Sequence, residues 1–146
     1  MSMTINSEVA AADTQAVKQL AARWEKAWND HDGDAVAALC AENLVYDEPA
    51  LGETAYGREA IRDLVRRLDS MIPDHTFEVI GVYADVARRS VLVAWRLTGT
   101  HARTGARLDF HGDDRLDLGP DGLIAEHRCL YDSSLVRRQV KHAAAT

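Results

Sequence analysis

The sequence predicts an α+β domain, with three N-terminal helices packed on one concave face of a curved antiparallel sheet. Three observations lead there. As far as about residue 71, apolar residues recur at spacings of three and four; beyond residue 76 they alternate. Between the alternating runs, Thr104-Gly105 and Pro120-Asp121-Gly122 supply turn chemistry. The last three strands are therefore expected to form an antiparallel meander.

Residues 1–12 are small and polar, and are expected to be a loose N-terminus ahead of one domain over 13–141. From about Thr14 to Asn29, Val17, Leu20, Ala21, Trp24, Ala27 and Trp28 fall on one helical face. Asp30-His31-Asp32-Gly33 stops that helix, and Asp34 is placed to cap a short second helix carrying Val36, Leu39 and Cys40. Leu44-Val45-Tyr46 reads as a short strand entering Asp47-Glu48-Pro49, followed by a loop to Gly57. A third helix spans about Arg58 to Met71 with Ile61, Leu64, Val65 and Leu68 as its apolar stripe, and Pro73 ends it. Strands are expected over about Thr76–Tyr83, Ser90–Ala102, Arg107–Leu118 and Leu123–Tyr131.

Composition excludes several classes. The formal net charge is −6, whereas a nucleic-acid partner requires a basic surface. Arg62, Arg66 and Arg67 read as one solvated helix face. No stretch approaches the roughly 20 apolar residues of a membrane span, and no basic region followed by an apolar core opens the chain. Cys40 and Cys129 sit in apolar segments and read as buried thiols of a reducing compartment, so the cytoplasm is expected.

Strand phase singles out Asp114. Leu108, Phe110, Gly112, Asp114 and Leu116 share one face, and Asp109, His111, Asp113, Arg115 and Asp117 the other. One acid on an apolar face tends to keep its proton, and a neutral carboxyl can donate a hydrogen bond to a substrate oxygen. The preceding strand points Val93, Trp95, Leu97, Gly99 and His101 the same way. In the last strand both phases hold apolar members, Leu123, Ala125, His127, Cys129 and Tyr131 against Ile124, Glu126, Arg128, Leu130 and Asp132. With the first set inward, Trp24, Trp28, Trp95, Phe110 and Tyr131 line a concavity whose polar groups are Asp114, His101, His127 and the Asp47-Glu48 corner. That is the usual form of a small-molecule site. His111-Gly112-Asp113-Asp114 superficially resembles a metal cluster, but alternation splits it, so no metal is expected. No phosphate-cradling loop or nucleophile elbow is present in the sequence.

Several motifs carry a resemblance. Gly33-Asp34, Tyr46-Asp47-Glu48-Pro49, Tyr56-Gly57-Arg58-Glu59-Ala60-Ile61 and Asp121-Gly122-Leu123-Ile124, in this order, resemble the nuclear transport factor 2-like superfamily, over about residues 14–140. That group includes ketosteroid isomerase, SnoaL-like polyketide cyclases and limonene epoxide hydrolase. The resemblance implies a cone-shaped α+β barrel, often paired as a homodimer through the outer sheet face. Against ketosteroid isomerase, the general base falls on Glu48, with Asp47 as its neighbour, and the protonated oxyanion-hole acid on Asp114. Trp24 replaces the oxyanion Tyr; it can donate through its indole but cannot relay a proton. Tyr46, Tyr56, Leu97 and Cys129 are expected to complete the lining. For the limonene enzyme, the catalytic Arg and two Asp correspond to Arg96, Thr98 and Cys129. SnoaL-like cyclases share Gly99-Thr100-His101, Glu126-His127 and the tail from Asp132 to Gln139.

The expectation is a cofactor-independent acid–base isomerase or cyclase for a hydrophobic carbonyl compound, such as a polyketide, steroid-like ring or terpenoid. Glu48 or Asp47 serves as base, and Asp114 with His101 or His127 as the polar wall. Epoxide opening with ether-ring closure is the alternative within catalysis. A non-catalytic hydrophobic-ligand carrier or dimeric interaction module is the alternative outside it.

Overall fold

The computed structural model describes residues 3–142, with side chains from residue 13 onward. The stretch expected to be loose, 1–12, lies outside the residues whose side chains are described. Helix α1 (Met3–Asn29) starts well before the point set by the apolar periodicity. It ends where Asp30 N and His31 N donate to Lys26 O and Trp28 O, and His31 turns into the left-handed region at φ 56°. Helix α2 (Gly33–Ala38) is capped by Asp32, whose side chain accepts from Ala35 N at 3.0 Å. Asp34, expected to be that cap, instead accepts from Arg62 Nε of the third helix at 2.9 Å. Leu39 and Cys40, assigned to the short helix, lie just past it.

Strand β1 (Cys40–Asp47) is longer than the three residues expected, and β2 (Ala55–Tyr56) pairs with it inside the expected loop. Helix α3 covers Arg58–Met71 as predicted. Gly57 precedes it at φ 86°, a backbone that a side chain rarely tolerates. Strands β3 (Thr76–Asp85), β4 (Ser90–Thr100), β5 (Arg107–Leu118) and β6 (Ile124–Tyr131) follow. A fourth helix that the sequence reading lacked, α4 (Ser133–Lys141), closes the described chain. Asp132 caps it, accepting from Ser134 N at 3.0 Å and Leu135 N at 3.1 Å.

The six strands run in the order β2-β1-β6-β5-β4-β3. The meander of β4, β5 and β6 is antiparallel, as is β3 on β4. β1 lies parallel to β6, so the sheet is mixed rather than antiparallel, and it does not close. One face packs on the helices. Leu20, Ala21, Trp24, Ala27 and Trp28 of α1 are buried against Val91, Val93, Trp95, Leu97, Leu108, Phe110 and Leu116 of the sheet. The edge strand β3 is covered by α1: Asn29 bonds both backbone groups of Phe77 at 2.7 Å, and Glu25 accepts from Val79 N at 2.6 Å. Among the described residues no helix is long and apolar enough to cross a membrane.

A bulge resolves the ambiguous strand. Asp117 pairs with Glu126 and Leu118 with Ile124, leaving Ala125 as an extra residue. Ile124 can then face inward, and so can His127, Cys129 and Tyr131 three, five and seven residues on.

Candidate active site

Asp114 is buried on β5 at 3% exposure, facing the helices. Its Oδ2 accepts from Trp24 Nε1 of α1 at 2.9 Å. His127 of β6 is 1% exposed, and its Nε2 lies 3.0 Å from Asp114 Oδ1. The two sit diagonally across the β5–β6 pairing, since His127 opposes Leu116 and Asp114 opposes Cys129. The distance is that of an ion pair, but the ring N–H does not aim at the oxygen, and neither ring nitrogen has an in-line hydrogen-bond partner. The imidazole is held by shape: Trp24 meets it edge-on at 5.0 Å and Tyr46 at 4.8 Å. Among the described residues no arginine pairs with Asp114; its ion-pair contact is His127.

The second acid is Glu48, immediately after β1, whose Oε2 accepts the Tyr131 hydroxyl at 3.0 Å. These groups open onto a cavity of about 270 Å³. Its aromatic wall is Trp28, Tyr46, Phe77, Trp95, Phe110 and Tyr131; α3 contributes Leu64, Arg67, Leu68 and Met71, and α4 contributes Val136. A cavity of similar size, about 260 Å³, lies between α1 and the β3–β4 turn, away from Asp114, Glu48 and His127.

Placement of the remaining predicted residues is uneven. Asp47 is exposed on the other side of the strand, opposite Arg128, because successive strand residues alternate. The structure thus brings Glu48, and not Asp47, to the cavity. His101 lies beyond the end of β4 in the hairpin turn, where its Nδ1 accepts from Thr104 N at 3.4 Å, and it does not line the cavity. Tyr56 is 71% exposed on the sheet edge. Trp24 and Leu97 are buried behind the lining rather than in it. Arg96 bonds Asp109 on the outer face, so the limonene-type residues Arg96 and Thr98 do not converge here.

Arg67 and the α4 contribution escaped the sequence reading. Arg67 was grouped with its exposed neighbours, yet the helix turns it to the cavity mouth. For α4, the Asp132-Ser133-Ser134 cap followed by apolar residues at 135, 136 and 140 was the available signal.

Burial sets the thiol and phenol chemistry. Cys129 is held well above the usual thiol range by burial first, then by the charges of Asp114 and Glu48. Burial likewise pushes Cys40 up to about 12. Neither is a nucleophile at neutral pH, because the thiolate is the reactive form. Tyr46 and Tyr131 are also raised, by burial and then by neighbouring groups, so both act only as O–H groups.

The SnoaL-like domain profile matches residues 21–127. The chain belongs to the SnoaL-like family. Among solved structures of this family's fold, a Xanthomonas campestris protein provisionally described as a polyketide cyclase is 23% identical, with TM-score 0.78 over 88% of this chain and 98% of its own. A Catenulispora acidiphila protein with a ketosteroid isomerase-like fold, crystallised with trimethylamine, is 23% identical, with TM-score 0.75 over 87% and 96%. An epoxide hydrolase of the limonene type from M. tuberculosis is 19% identical, with TM-score 0.69 over 89% and 92%. At these identities the likeness is one of fold. By sequence, no curated protein matches.

Proposed function

We propose that this SnoaL-like chain is an acid–base isomerase or cyclase acting on a small hydrophobic carbonyl compound, of polyketide or terpenoid type. One observation carries the reading: an aromatic-walled cavity holds a carboxyl group, Glu48, together with the buried Asp114–His127 pair. The volume of about 270 Å³ sits at the lower edge of the roughly 300–1,000 Å³ typical of small-molecule sites, which favours a compact ring system over a four-ring steroid.

In the proposed step Glu48, oriented by the Tyr131 hydroxyl, removes a proton alpha to the carbonyl. The electron pair moves onto the carbonyl oxygen. Trp24 occupies Asp114 Oδ2, which leaves Oδ1, carrying the acid proton and flanked by His127 Nε2, to donate to the developing enolate. Double-bond shift, aldol closure and dehydration all begin from that enolate, and the substrate decides among them. Acid and base supply the chemistry, so no cofactor is invoked.

The test is a co-crystal with a hydrophobic phenol, whose oxygen mimics the enolate. The expected pose sets that oxygen against Asp114; binding elsewhere overturns the oxyanion role. With a turned-over substrate, Asp114→Ala, which removes the donor, is expected to lose about 100- to 1000-fold in kcat. Ligand binding without turnover by the parent, with affinity unchanged in that variant, would instead make the protein a ligand carrier.

A further inference from the structure

Outside the cavity, the α1–α2 turn and the two sides of the α3–β3 turn bring three side chains to one point. His31 comes from the turn between α1 and α2, Asp69 from the last turn of α3, and His75 from just ahead of β3. His31 Nδ1 lies 2.8 Å from Asp69 Oδ1, and His75 Nε2 lies 3.0 Å from the same oxygen. The imidazole rings stack at 3.8 Å, and the donor atoms all fall within 4.8 Å of one another. The His75 side chain is only 1% exposed, whereas those of His31 and Asp69 are 29% and 32% exposed. The cluster therefore keeps one open side, facing a shallow cleft flanked by Asp30, Asp32 and Asp34 and by Arg62 and Arg66, with Asp30 paired to Lys26 and Asp34 to Arg62.

The tautomers sharpen the picture. His31 Nε2 lies 3.2 Å from the carbonyl oxygen of His75. A carbonyl only accepts, so this nitrogen carries the hydrogen and donates. In the neutral ring Nδ1 is then a lone pair, and it faces a carboxylate oxygen at 2.8 Å. Two acceptors that close repel each other unless a positive centre joins them. A second proton on His31 satisfies one contact. A divalent ion satisfies His31, Asp69 and His75 together. Zinc bonds of about 2.0–2.2 Å set tetrahedral donor atoms about 3.3 Å apart. The two contacts to Asp69 need open by only about 0.3–0.5 Å to meet that spacing.

We propose that His31, Asp69 and His75 form a structural site for a zinc-class divalent ion, with solvent completing its coordination. Imidazole and carboxylate donors suit this class. Such an ion braces the α3–β3 turn, whose Met71 and Ile72 wall the cavity; His75 N already donates to Ile72 O at 3.0 Å. The cost is a buried His75 Nδ1–H without an acceptor.

Calorimetric titration of the chelator-treated full chain with zinc chloride tests this directly. The expected result is one bound equivalent and a melting temperature raised by several degrees. His31→Asn, which tolerates the left-handed backbone at this position, and Asp69→Asn should each weaken binding at least tenfold. Asp34→Asn, in the same cleft but outside the triad, should bind as the parent does. Circular dichroism establishes that the variants fold. No saturable binding, together with a His31 ring that NMR shows doubly protonated and insensitive to zinc, overturns the proposal in favour of a proton. Equal binding by His31→Asn and the parent, or equal losses in Asp34→Asn and Asp69→Asn, overturns it in favour of diffuse attraction to the carboxylates of the cleft.

Discussion

Trp24 donates its indole N–H to Asp114 across 2.9 Å, tying α1 to β5 over 90 residues of sequence. The acid is thereby positioned by a side chain that contains no exchangeable acid or base of its own. Trp24→Phe keeps most of the packing but strips Oδ2 of its donor. Leaving a buried acceptor unpaired costs about 1–3 kcal/mol, to be read by urea unfolding. The loss should shrink when Asp114→Ala is already present, since the stranded oxygen is then gone.

Gly112 faces the indole of Trp95 across the β4–β5 pair. A methyl group there would intrude on Trp95 Cζ2 and Cη2 and come within 2.8 Å of Leu130 O. Gly112→Ala is therefore expected to destabilise by at least about 1–3 kcal/mol and to perturb the Trp95 wall, measurable as a shift in tryptophan emission.

Arg96 grips Asp109 with two bonds of 2.8 and 2.6 Å, and this grip holds the Asp109 carboxyl below its usual range. A depressed folded value contributes stability above the ordinary 3.8, and that contribution disappears as pH falls through the lower folded value. Both side chains are 43% exposed, so solvent screening limits the gain to under about 1 kcal/mol. Asp109→Asn should be slightly less stable than the parent at pH 7. The difference should fade in acid unfolding curves below the ordinary carboxylate range and also in high salt.

Gln139 of α4 bonds both backbone groups of Asp109, accepting at 3.0 Å and donating at 2.8 Å. Val136 of the same helix lines the cavity. Gln139→Ala should raise the opening of residues 133–141 roughly tenfold by hydrogen exchange, the equivalent of about one net hydrogen bond. With a substrate in hand, KM should rise more than kcat falls, because a wall is loosened while Asp114 and Glu48 stay in place.

Local patterns carried the fold where the physics is local. The stripe ended by Pro73 gave both ends of α3, and strict alternation gave both ends of β5 and the inward phase of Asp114. The same alternation rule could not decide β6, because Ile124 and His127 both face inward and only a bulge permits that. The parallel pairing of β1 with β6 joins strands some 80 residues apart and leaves no periodic trace. At the site, Asp114, Glu48 and His127 were readable from phase and resemblance. Their partners Trp24 and Tyr131 were seen as lining, while their hydrogen bonds depend on chain crossings that no short motif encodes.

Ala125 has a consequence beyond local geometry. Were Ala125 paired in the ladder instead of bulged out of it, everything after it would be rotated by half a turn about the strand axis. Glu126, Arg128 and Leu130 would then point into the cavity, and the imidazole, thiol and phenol would be put out to water. The chemical character of this interior thus hangs on one residue left out of the ladder, and a one-codon deletion of Ala125 would straighten the strand while keeping His127, Cys129 and Tyr131 inward.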